Sequence, residues 1–340
     1  MQHHLTPRAE GLGLLLERLL SVSYAVLPGQ GEDSFAMGED ARGGFLCVAD
    51  GCGGLGSRRY RDLGEHTGAY LASRLVTRAF SGWAEERMPM PDTPDEGHVL
   101  CADLERDLEG ILRGFARKNC EGGAPPRIVG SMQRVLPTTL CAAVAEPGDV
   151  SECCFLWAGD SRGYILDADG LHQLTHDHAR GGPDPFESLY RDVPLTNLAS
   201  ADSPLCLSMR RTTARGPCVL VLATDGAFGC LPTPMEFEML LLQTLLAASS
   251  TLGWRRKLEI ELGKLAHDDA TILCMLVGFD AYAGLKQYLA PRRDWLRRNY
   301  ITPVRRRAGD FAFAREKWLE YREGYDRTEG TRHEHTDWRI

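Results

Sequence analysis

The stretch GFLCVADGCGG, residues 44–54, decides the fold of this chain. Residues 44–49 are apolar and bounded by glycine and aspartate, which predicts a buried strand. Asp50 follows that strand directly, and a glycine-rich turn comes next. A carboxylate beside a buried strand is costly unless it is paired. A single Asp-Gly is also a common turn, so the pattern gains weight only if it recurs.

The same pattern does recur along the chain. Asp225 follows the apolar run VLVLAT, and Asp268 precedes DATILCMLV. The five acidic places are Glu32-Asp33, Asp50-Gly51, Asp160-Ser161, Asp225-Gly226 and Asp268-Asp269. Carboxylates gathered at one end of a sheet repel one another, and hard cations such as Mg²⁺ or Mn²⁺ relieve that repulsion. Two ions held by shared aspartates activate a bridging water and clamp a phosphoryl group.

The order of predicted elements favours sheets covered by pairs of helices. Strands are predicted at 21–26, 34–37, 44–49, 139–145, 153–158, 163–167, 205–213, 218–223 and 270–278, and helices at 62–83, 99–118, 234–248 and 254–265. Helices do not alternate singly with strands, so an α+β layered sandwich is favoured over a doubly wound parallel sheet. Residues 179–202 are polar and aperiodic, which predicts a loop or flap over a surface.

The domain organisation is predicted from the same pass along the chain. Residues 1–20 form an N-terminal segment, and residues 21–280 form the main domain. Residues 281–330 are predicted to be a C-terminal helical extension packed on that domain. Residues 331–340 are predicted to be a frayed tail.

Composition excludes several classes of protein. The 340 residues are 43% hydrophobic and 25% charged, which predicts a packed core. A net charge of -8 argues against a general nucleic-acid binder. We see neither a membrane-length apolar run nor a signal-peptide pattern, and the 11 cysteines include no CxxC pair. We therefore expect a cytoplasmic protein without nucleic-acid or membrane partners; the oligomeric state is left open.

Seven short motifs follow one another in a characteristic order. They are Glu32-Asp33-Ser34, Ala49-Asp50-Gly51-Cys52-Gly53-Gly54, Thr138-Thr139, Gly159-Asp160-Ser161-Arg162-Gly163-Tyr164, Leu174-Thr175-His176-Asp177-His178, Thr224-Asp225-Gly226 and Asp268-Asp269-Ala270-Thr271. Together they resemble the metal-dependent protein phosphatases, the type 2C serine/threonine phosphatases, in a bacterial-like form. One such motif alone is a weak signal, whereas seven in order across residues 20–280 are a strong one.

The resemblance implies a fold and a reaction. The fold is an αββα four-layer sandwich, in which two packed, mostly antiparallel sheets are flanked by helix pairs. Two divalent ions, Mg²⁺ or Mn²⁺, lie between the sheets, and a weaker third ion is implied beside them. A metal-bridging hydroxide attacks the phosphorus of phosphoserine or phosphothreonine in proteins, and Asp50 and Asp225 act in catalysis through the ions. The implied partners are phosphoprotein substrates and a cognate Ser/Thr kinase.

The resemblance also implies which residues hold the metal ions. Asp50 bridges both ions, and the Gly51 carbonyl binds one of them. Each of the other implied ligands contacts one ion. Asp225 and Asp268 hold one ion, and the pair Glu32-Asp33 holds the other, directly or through water. Asp160 joins Asp225 at the weaker third site.

The chain departs from the family pattern at three positions. Pro28 stands where a phosphate-binding arginine is frequent, so Arg58 or Arg59 is the candidate phosphate contact. Cys52 replaces a histidine that eukaryotic members use as a proposed acid, and Pro137 replaces a glycine. These departures keep a second function open. In that alternative, the chain is a weak or inactive phosphatase-like module that binds phosphoproteins or regulates other proteins.

Two other motifs and two histidines give rival interpretations. Residues 51–56 match the dinucleotide fingerprint GxGxxG, but no acidic residue follows about twenty positions on, where ribose binding needs one. Residues 52–58 match C-x5-R of cysteine-dependent phosphatases, although Gly51 stands where a histidine is usual. His176 and His178 are interpreted as polar residues of a turn and not as metal ligands.

Overall fold

The computed structural model describes the chain in six stretches. They are residues 18–88, 94–119, 133–148, 150–182, 184–191 and 193–326. The predicted tail, most of the predicted N-terminal segment and the last four residues of the predicted extension lie outside these stretches. Among the described residues, no helix is long and apolar enough to cross a membrane.

Two antiparallel sheets form the centre of the fold. The strands of the described chain are β1 (Leu19–Tyr24), β2 (Ser34–Asp40), β3 (Gly43–Ala49), β4 (Arg59–Tyr60), β5 (His66–Thr67), β6 (Leu140–Ala145), β7 (Val150–Ala158), β8 (Arg162–Leu166), β9 (Leu171–Gln173), β10 (Ser208–Arg215), β11 (Cys218–Ala223) and β12 (Ala270–Val277). One sheet has the order β1-β12-β11-β8-β9, and the other has the order β10-β7-β6-β3-β2. Strands β4 and β5 make a separate small hairpin.

Helices cover both outer faces of the sheet pair. In the described chain they are α1 (Gly68–Arg87), α2 (Pro94–Asn119), α3 (Asp225–Gly229), α4 (Pro234–Leu246), α5 (Thr251–Leu265), α6 (Tyr282–Leu296), α7 (Thr302–Arg306) and α8 (Phe311–Tyr325). A π-helical turn joins α6 to α7. Threonine or serine caps three of the longer helices, as when the Thr233 side chain accepts a hydrogen bond from the Glu236 amide before α4.

Three hydrophobic cores separate four layers. Strand β3 is buried on both faces: Leu46 and Val48 pack toward β11 and β12 of the other sheet, whereas Phe45 and Cys47 pack toward α1 and α2. Alternate strand residues point to opposite faces, so a continuous apolar run fits a strand between two cores. The third core lies between the first sheet and helices α4, α5, α6 and α8. The predicted α+β sandwich is therefore confirmed.

The predicted helix 62–83 begins later in the structure, at residue 68. Gly64 and Glu65 have φ angles of 78° and 60°, in the left-handed region that stops a helix. The chain instead turns back through the β4–β5 hairpin. The Thr67 side chain then caps α1 by accepting a 3.1 Å hydrogen bond from the Tyr70 amide. Hydrophobic spacing alone places the start of this helix too early, because Leu63 lies at helical spacing from Tyr70 but belongs to the segment between β4 and β5.

The C-terminal helices pack on the main domain and share its core. Trp318, Tyr321 and Tyr325 of α8 are buried against the first sheet and α4. Glu238 of α4 is fully buried and accepts two hydrogen bonds from Arg292 of α6, at 2.6 and 2.9 Å. The helical extension expected from the sequence is thus present and is fixed by both apolar and ionic contacts.

Candidate active site

The predicted acidic residues meet at one end of the sandwich. In antiparallel sheets, the end of one strand lies beside the start of its neighbour. The carboxylates follow that rule: Asp33 precedes β2, Asp50 follows β3, Asp160 lies between β7 and β8, Asp225 follows β11, and Asp268 precedes β12. Positions up to 236 residues apart in the chain are therefore brought together, which joins Glu32-Asp33 to Asp268.

Burial, followed by mutual repulsion, raises the pKa values of these carboxyls. Burial, followed by the charges of Asp225, Asp33 and Asp160, raises the pKa of Asp50 well above its ordinary range. Burial also raises the pKa of Asp33 to about 7 and that of Asp160 to about 8, with Asp225 as the main neighbouring charge for both. For Asp225 itself, burial and then Asp268 raise the pKa. Full ionisation of the group is therefore unfavourable near neutral pH unless a cation compensates the charge.

Asp33 has one oxygen that the described residues leave unpaired. Its Oδ2 accepts hydrogen bonds of 2.8 Å from the hydroxyls of Thr224 and Thr271. Its Oδ1 is buried and has no hydrogen-bond partner among the described residues. A buried carboxylate oxygen without a partner is unfavourable, and a hard cation is a suitable partner for it. The donor set at this end therefore fits a divalent ion.

The carboxylates are close to one another but are not preset around one point. Within the described part of the chain, no three His, Cys, Asp or Glu side chains are already spaced to hold a metal ion. Several bare carboxylates at close range repel one another. Ion binding at this end would accordingly require the carboxylate side chains to change conformation.

The threonine pair fixes the backbone of Asp50. The Thr139 hydroxyl accepts a 2.9 Å hydrogen bond from the Asp50 amide, and the Thr138 hydroxyl donates a 2.7 Å hydrogen bond to the Asp50 carbonyl. The Thr139 amide donates to the same carbonyl at 2.8 Å. Thr139 is also 2.8 Å from the Ser161 hydroxyl, next to Asp160. This network ties two of the acidic turns to one another.

Gly51 is required by close packing beside Glu32. A Cβ atom at position 51 would lie 2.7 Å from the Ala69 carbonyl oxygen and 2.9 Å from the Glu32 Cβ. Both distances are shorter than normal contacts, so any larger residue would displace the turn. The Thr67 hydroxyl donates a hydrogen bond to Glu32. The start of α1 and the acidic turn are thus packed directly together.

Asp269 and Arg74 hold the loop that carries Glu32, and the sequence reasoning gave neither a role. Asp269 accepts hydrogen bonds from the Val26 amide at 2.9 Å and from the Glu32 amide at 2.6 Å. Arg74 donates to the Gly31 carbonyl at 2.8 Å. The acidic pair Asp268-Asp269 in the sequence indicated Asp269 as a possible site residue. Arg74 lies within α1, and no sequence motif indicated it.

Arg162 and Asp177 form a buried ion pair beside the acidic group. The two side chains are 2% and 8% exposed, and they make two hydrogen bonds of 2.9 and 2.7 Å. Burial lowers the pKa of Arg162, but the charge and hydrogen bonds of Asp177, together with Tyr164 and Tyr325, outweigh burial and hold that pKa well above its ordinary value. The Arg162 charge also favours the ionised forms of Asp160 and Asp225. The ion pair therefore places a positive charge where it stabilises the ionised carboxylates of Asp160 and Asp225.

The two histidines and the candidate arginines occupy different surroundings. His178 is bonded through Nδ1 to Asn197 at 3.0 Å and through Nε2 to Ser208 at 2.9 Å, and burial lowers its pKa to about 4. These contacts fit a neutral structural residue.

Arg58 and Arg59 are exposed at the start of the β4–β5 hairpin. Burial raises the pKa of the Glu32 carboxyl, and the nearby positive charge of Arg59 offsets part of that increase.

Cys52 lies in surroundings that disfavour a thiolate. Burial, followed by the charges of Asp50 and Asp160, raises the pKa of the thiol well above its ordinary value. The turn after Cys52 leads into the β4–β5 hairpin, so neither the cysteine nor the GxGxxG glycines open directly into a helix. Strand β3 also has antiparallel neighbours only. The geometry thus disfavours both the cysteine-dependent and the dinucleotide interpretations.

Comparison with known proteins places the chain in a family. A family model described as Protein phosphatase 2C matches residues 29–261. No curated protein sequence gives a significant match. Since the family model spans more than half of the chain, the chain belongs to the protein phosphatase 2C family and is a protein serine/threonine phosphatase.

Solved structures share the fold at low sequence identity. The Mycobacterium tuberculosis serine/threonine phosphatase PstP/Ppp superposes with a TM-score of 0.54 at 19% identity, covering 77% of this chain and 99% of that one. PppA of Pseudomonas aeruginosa, described as a regulatory component of T6SS, gives 0.53 at 23% identity, with 77% and 97% coverage. The catalytic domain of PstP in complex with two manganese ions gives 0.50 at 22% identity, with 76% and 98% coverage.

Proposed function

We propose that this chain hydrolyses phosphoserine and phosphothreonine in proteins with the help of two divalent metal ions, Mg²⁺ or Mn²⁺. The observation that carries the proposal is the group of buried carboxyls that raise one another's pKa values at one end of the sandwich. The similar PstP catalytic domain was solved with two manganese ions, which supports the same requirement here. When bound, two such ions supply a nucleophilic water at neutral pH and neutralise the phosphoryl oxygens.

We assign the binding of these ions to oxygen ligands of the acidic group. The proposed ligands are Glu32, Asp33, Asp50, the Gly51 carbonyl, Asp225 and Asp268, with Asp160 at a weaker third site. After burial, the charges of four other carboxyls contribute to the raised pKa of Asp50, so Asp50 interacts electrostatically with each of them. This supports Asp50 as the bridging ligand. Thr138 and Thr139 would keep its backbone in place while the carboxylates rotate.

The direct test is turnover by the full-length chain. We expect hydrolysis of a phosphothreonine peptide and of p-nitrophenyl phosphate in Mn²⁺ or Mg²⁺, and none in EDTA. Folded protein that binds the phosphopeptide without hydrolysing it, with either metal, would overturn the proposal. That outcome would favour the alternative of a phosphoprotein-binding module.

Metal binding is expected to depend on pH. Ligating carboxyls must lose their protons, so binding competes with protonation. Asp33 and Asp160 have pKa values of about 7 and about 8 in the metal-free protein. The apparent Mn²⁺ affinity should therefore rise as the pH increases from 6 to 8 and keep rising until these carboxyls are fully ionised. Calorimetric titrations in buffers of different ionisation enthalpy would measure the affinity and the protons released. Equal Mn²⁺ affinity at pH 6 and pH 8 would contradict the prediction.

Cys52→Ser is expected to retain metal-dependent turnover within about threefold of the wild type, because the thiol pKa is raised and the thiolate is not populated. The measurement is kcat/KM with p-nitrophenyl phosphate in Mn²⁺. Loss of turnover in this variant, accompanied by activity that survives EDTA in the wild type, would instead indicate a cysteine nucleophile.

Arg59 is proposed to bind the substrate phosphate in place of the arginine absent at Pro28. Arg59→Ala is expected to raise the KM for the phosphopeptide about tenfold with little change in kcat, since a charge-assisted hydrogen bond contributes about 1.5–3 kcal/mol. Arg61→Ala, on the same exposed hairpin, is the matched control. Equal effects of the two substitutions on KM would contradict a specific phosphate contact by Arg59, because they would show only a general contribution of positive charge to substrate binding.

A further inference from the structure

The predicted flap is closed at its base by backbone hydrogen bonds. The Arg180 amide donates to the Pro194 carbonyl at 3.0 Å, and the Thr196 amide donates to the His178 carbonyl at 2.7 Å. The described residues between these pairs therefore project from a fixed neck. We call residues 184–190 the flap turn. Its position must be set by contacts beyond the neck.

Helix α8 supplies contacts that hold the outer side of the flap turn. The Asp184 carboxylate accepts a 2.8 Å hydrogen bond from the Trp318 indole and a 2.7 Å hydrogen bond from Arg322. Phe186 is fully buried, and its ring centroid is 5.2 Å from that of Phe311 and 6.4 Å from that of Trp318. Polar and apolar contacts thus fasten the same few residues to one helix.

The inner side of the flap turn reaches the candidate active site. The Ser188 hydroxyl accepts a 2.6 Å hydrogen bond from Arg162. The Ser188 amide donates to the Asp184 carbonyl at 2.9 Å, so the two residues belong to one rigid turn. Arg162 begins strand β8, two positions after Asp160 of the acidic group. A continuous set of hydrogen bonds therefore runs from α8 through the flap turn to Arg162.

We propose that α8 acts as a brace that positions the flap turn against the active site, with Asp184 and Ser188 as positioning residues. The family model ends at residue 261, so the brace lies outside the matched region. The kinetic part of this inference rests on the proposed function. Through Ser188 the flap turn contacts Arg162, and we infer that it contributes to binding the residues that flank a phosphoresidue. A small aryl phosphate reaches the carboxylates without needing such flanking contacts.

Two substitutions of Asp184 in the full-length chain test the brace. Asp184→Ala removes both bonds to α8 and also the 2.9 Å bond that Asp184 accepts from the Phe186 amide within the turn. Asp184→Asn keeps an oxygen acceptor for Trp318 and for the Phe186 amide and loses the charge that pairs with Arg322, so it tests a contact with α8 alone. Glu320→Gln is the control, because Glu320 pairs with Lys317 on the exposed side of α8, where the Glu320 side chain is 49% exposed. Thermal unfolding shows whether each variant is folded.

The first readout is limited trypsin digestion, because Arg180 and Arg191 flank the flap turn. We expect cleavage at these two residues to be about tenfold faster in Asp184→Ala than in the wild type, as local opening becomes easier. Asp184→Asn should fall between them, and Glu320→Gln should match the wild type. Unchanged cleavage in a folded Asp184→Ala would overturn the brace.

The second readout compares two substrates. The KM for the phosphothreonine peptide should rise about tenfold in Asp184→Ala, whereas kcat for p-nitrophenyl phosphate should stay within about twofold. Equal loss with both substrates would overturn the positioning role. Digestion does not depend on turnover, so an inactive wild type would contradict the proposed function while the digestion result still decides whether α8 holds the flap turn.

Discussion

Asp50→Asn is expected to lower metal-dependent turnover of a phosphothreonine peptide by about a thousandfold, because it removes the proposed bridging ligand and a charge that orients the reacting groups. The same substitution is expected to raise the thermal stability of the metal-free protein. These two effects have opposite signs, which separates a functional loss from a folding defect. Turnover in saturating Mn²⁺ and thermal unfolding in EDTA measure them.

The stability gain follows from the raised pKa of Asp50. Its folded-state pKa lies well above the unfolded value, mainly because of burial and then because of Asp225. The folded state therefore binds more protons, and the metal-free protein loses stability as the pH rises from the unfolded pKa through the folded one. Asparagine cannot ionise and avoids that loss at neutral pH. Asp62→Asn, on the exposed hairpin, is the control and should change neither quantity. A destabilised Asp50→Asn protein would contradict this account.

Asp177→Asn is expected to reduce the free energy of unfolding by about 3–5 kcal/mol, since it leaves the buried Arg162 without a full counter-charge. The pair is almost fully shielded from water, with side chains 2% and 8% exposed. Chemical denaturation of the metal-free proteins would measure the loss.

Glu259→Gln is the matched control for this prediction. Glu259 pairs with Arg255 at 2.9 Å on the surface of α5, where the two side chains are 40% and 48% exposed. Water screens such a pair, so its loss should cost less than about 1 kcal/mol. If the two substitutions had equal effects, the buried pair would not be the support that we infer for Asp160 and Asp225.

Much of the fold could be predicted because the strands have a strong signal. The run 44–49 is apolar at every position, which suits a strand between two cores, and the structure places it as β3. The beginning of α1 could not be read in the same way. The hairpin before it has two-residue strands and depends on left-handed backbone at Gly64 and Glu65, which hydrophobic spacing does not reveal.

The sequence indicated those residues of the candidate site that lie at the ends of buried strands. Asp50, Asp225 and Asp268 each lie next to a buried strand, and the structure brings them to the same end of the sandwich. Their roles as metal ligands stay a prediction. The contacts of Asp184 with α8 cross 134 positions and involve an aperiodic loop, so no local pattern indicated them.

The central claim is that this acidic group holds two divalent ions. Its most direct test is the anomalous scattering of Mn²⁺ in crystals of the full-length chain grown near pH 8. We predict two strong peaks among the carboxylates of the acidic group, with Asp50 contacting both. Peaks located elsewhere, or a lone ion that Asp50 does not contact, would contradict the account.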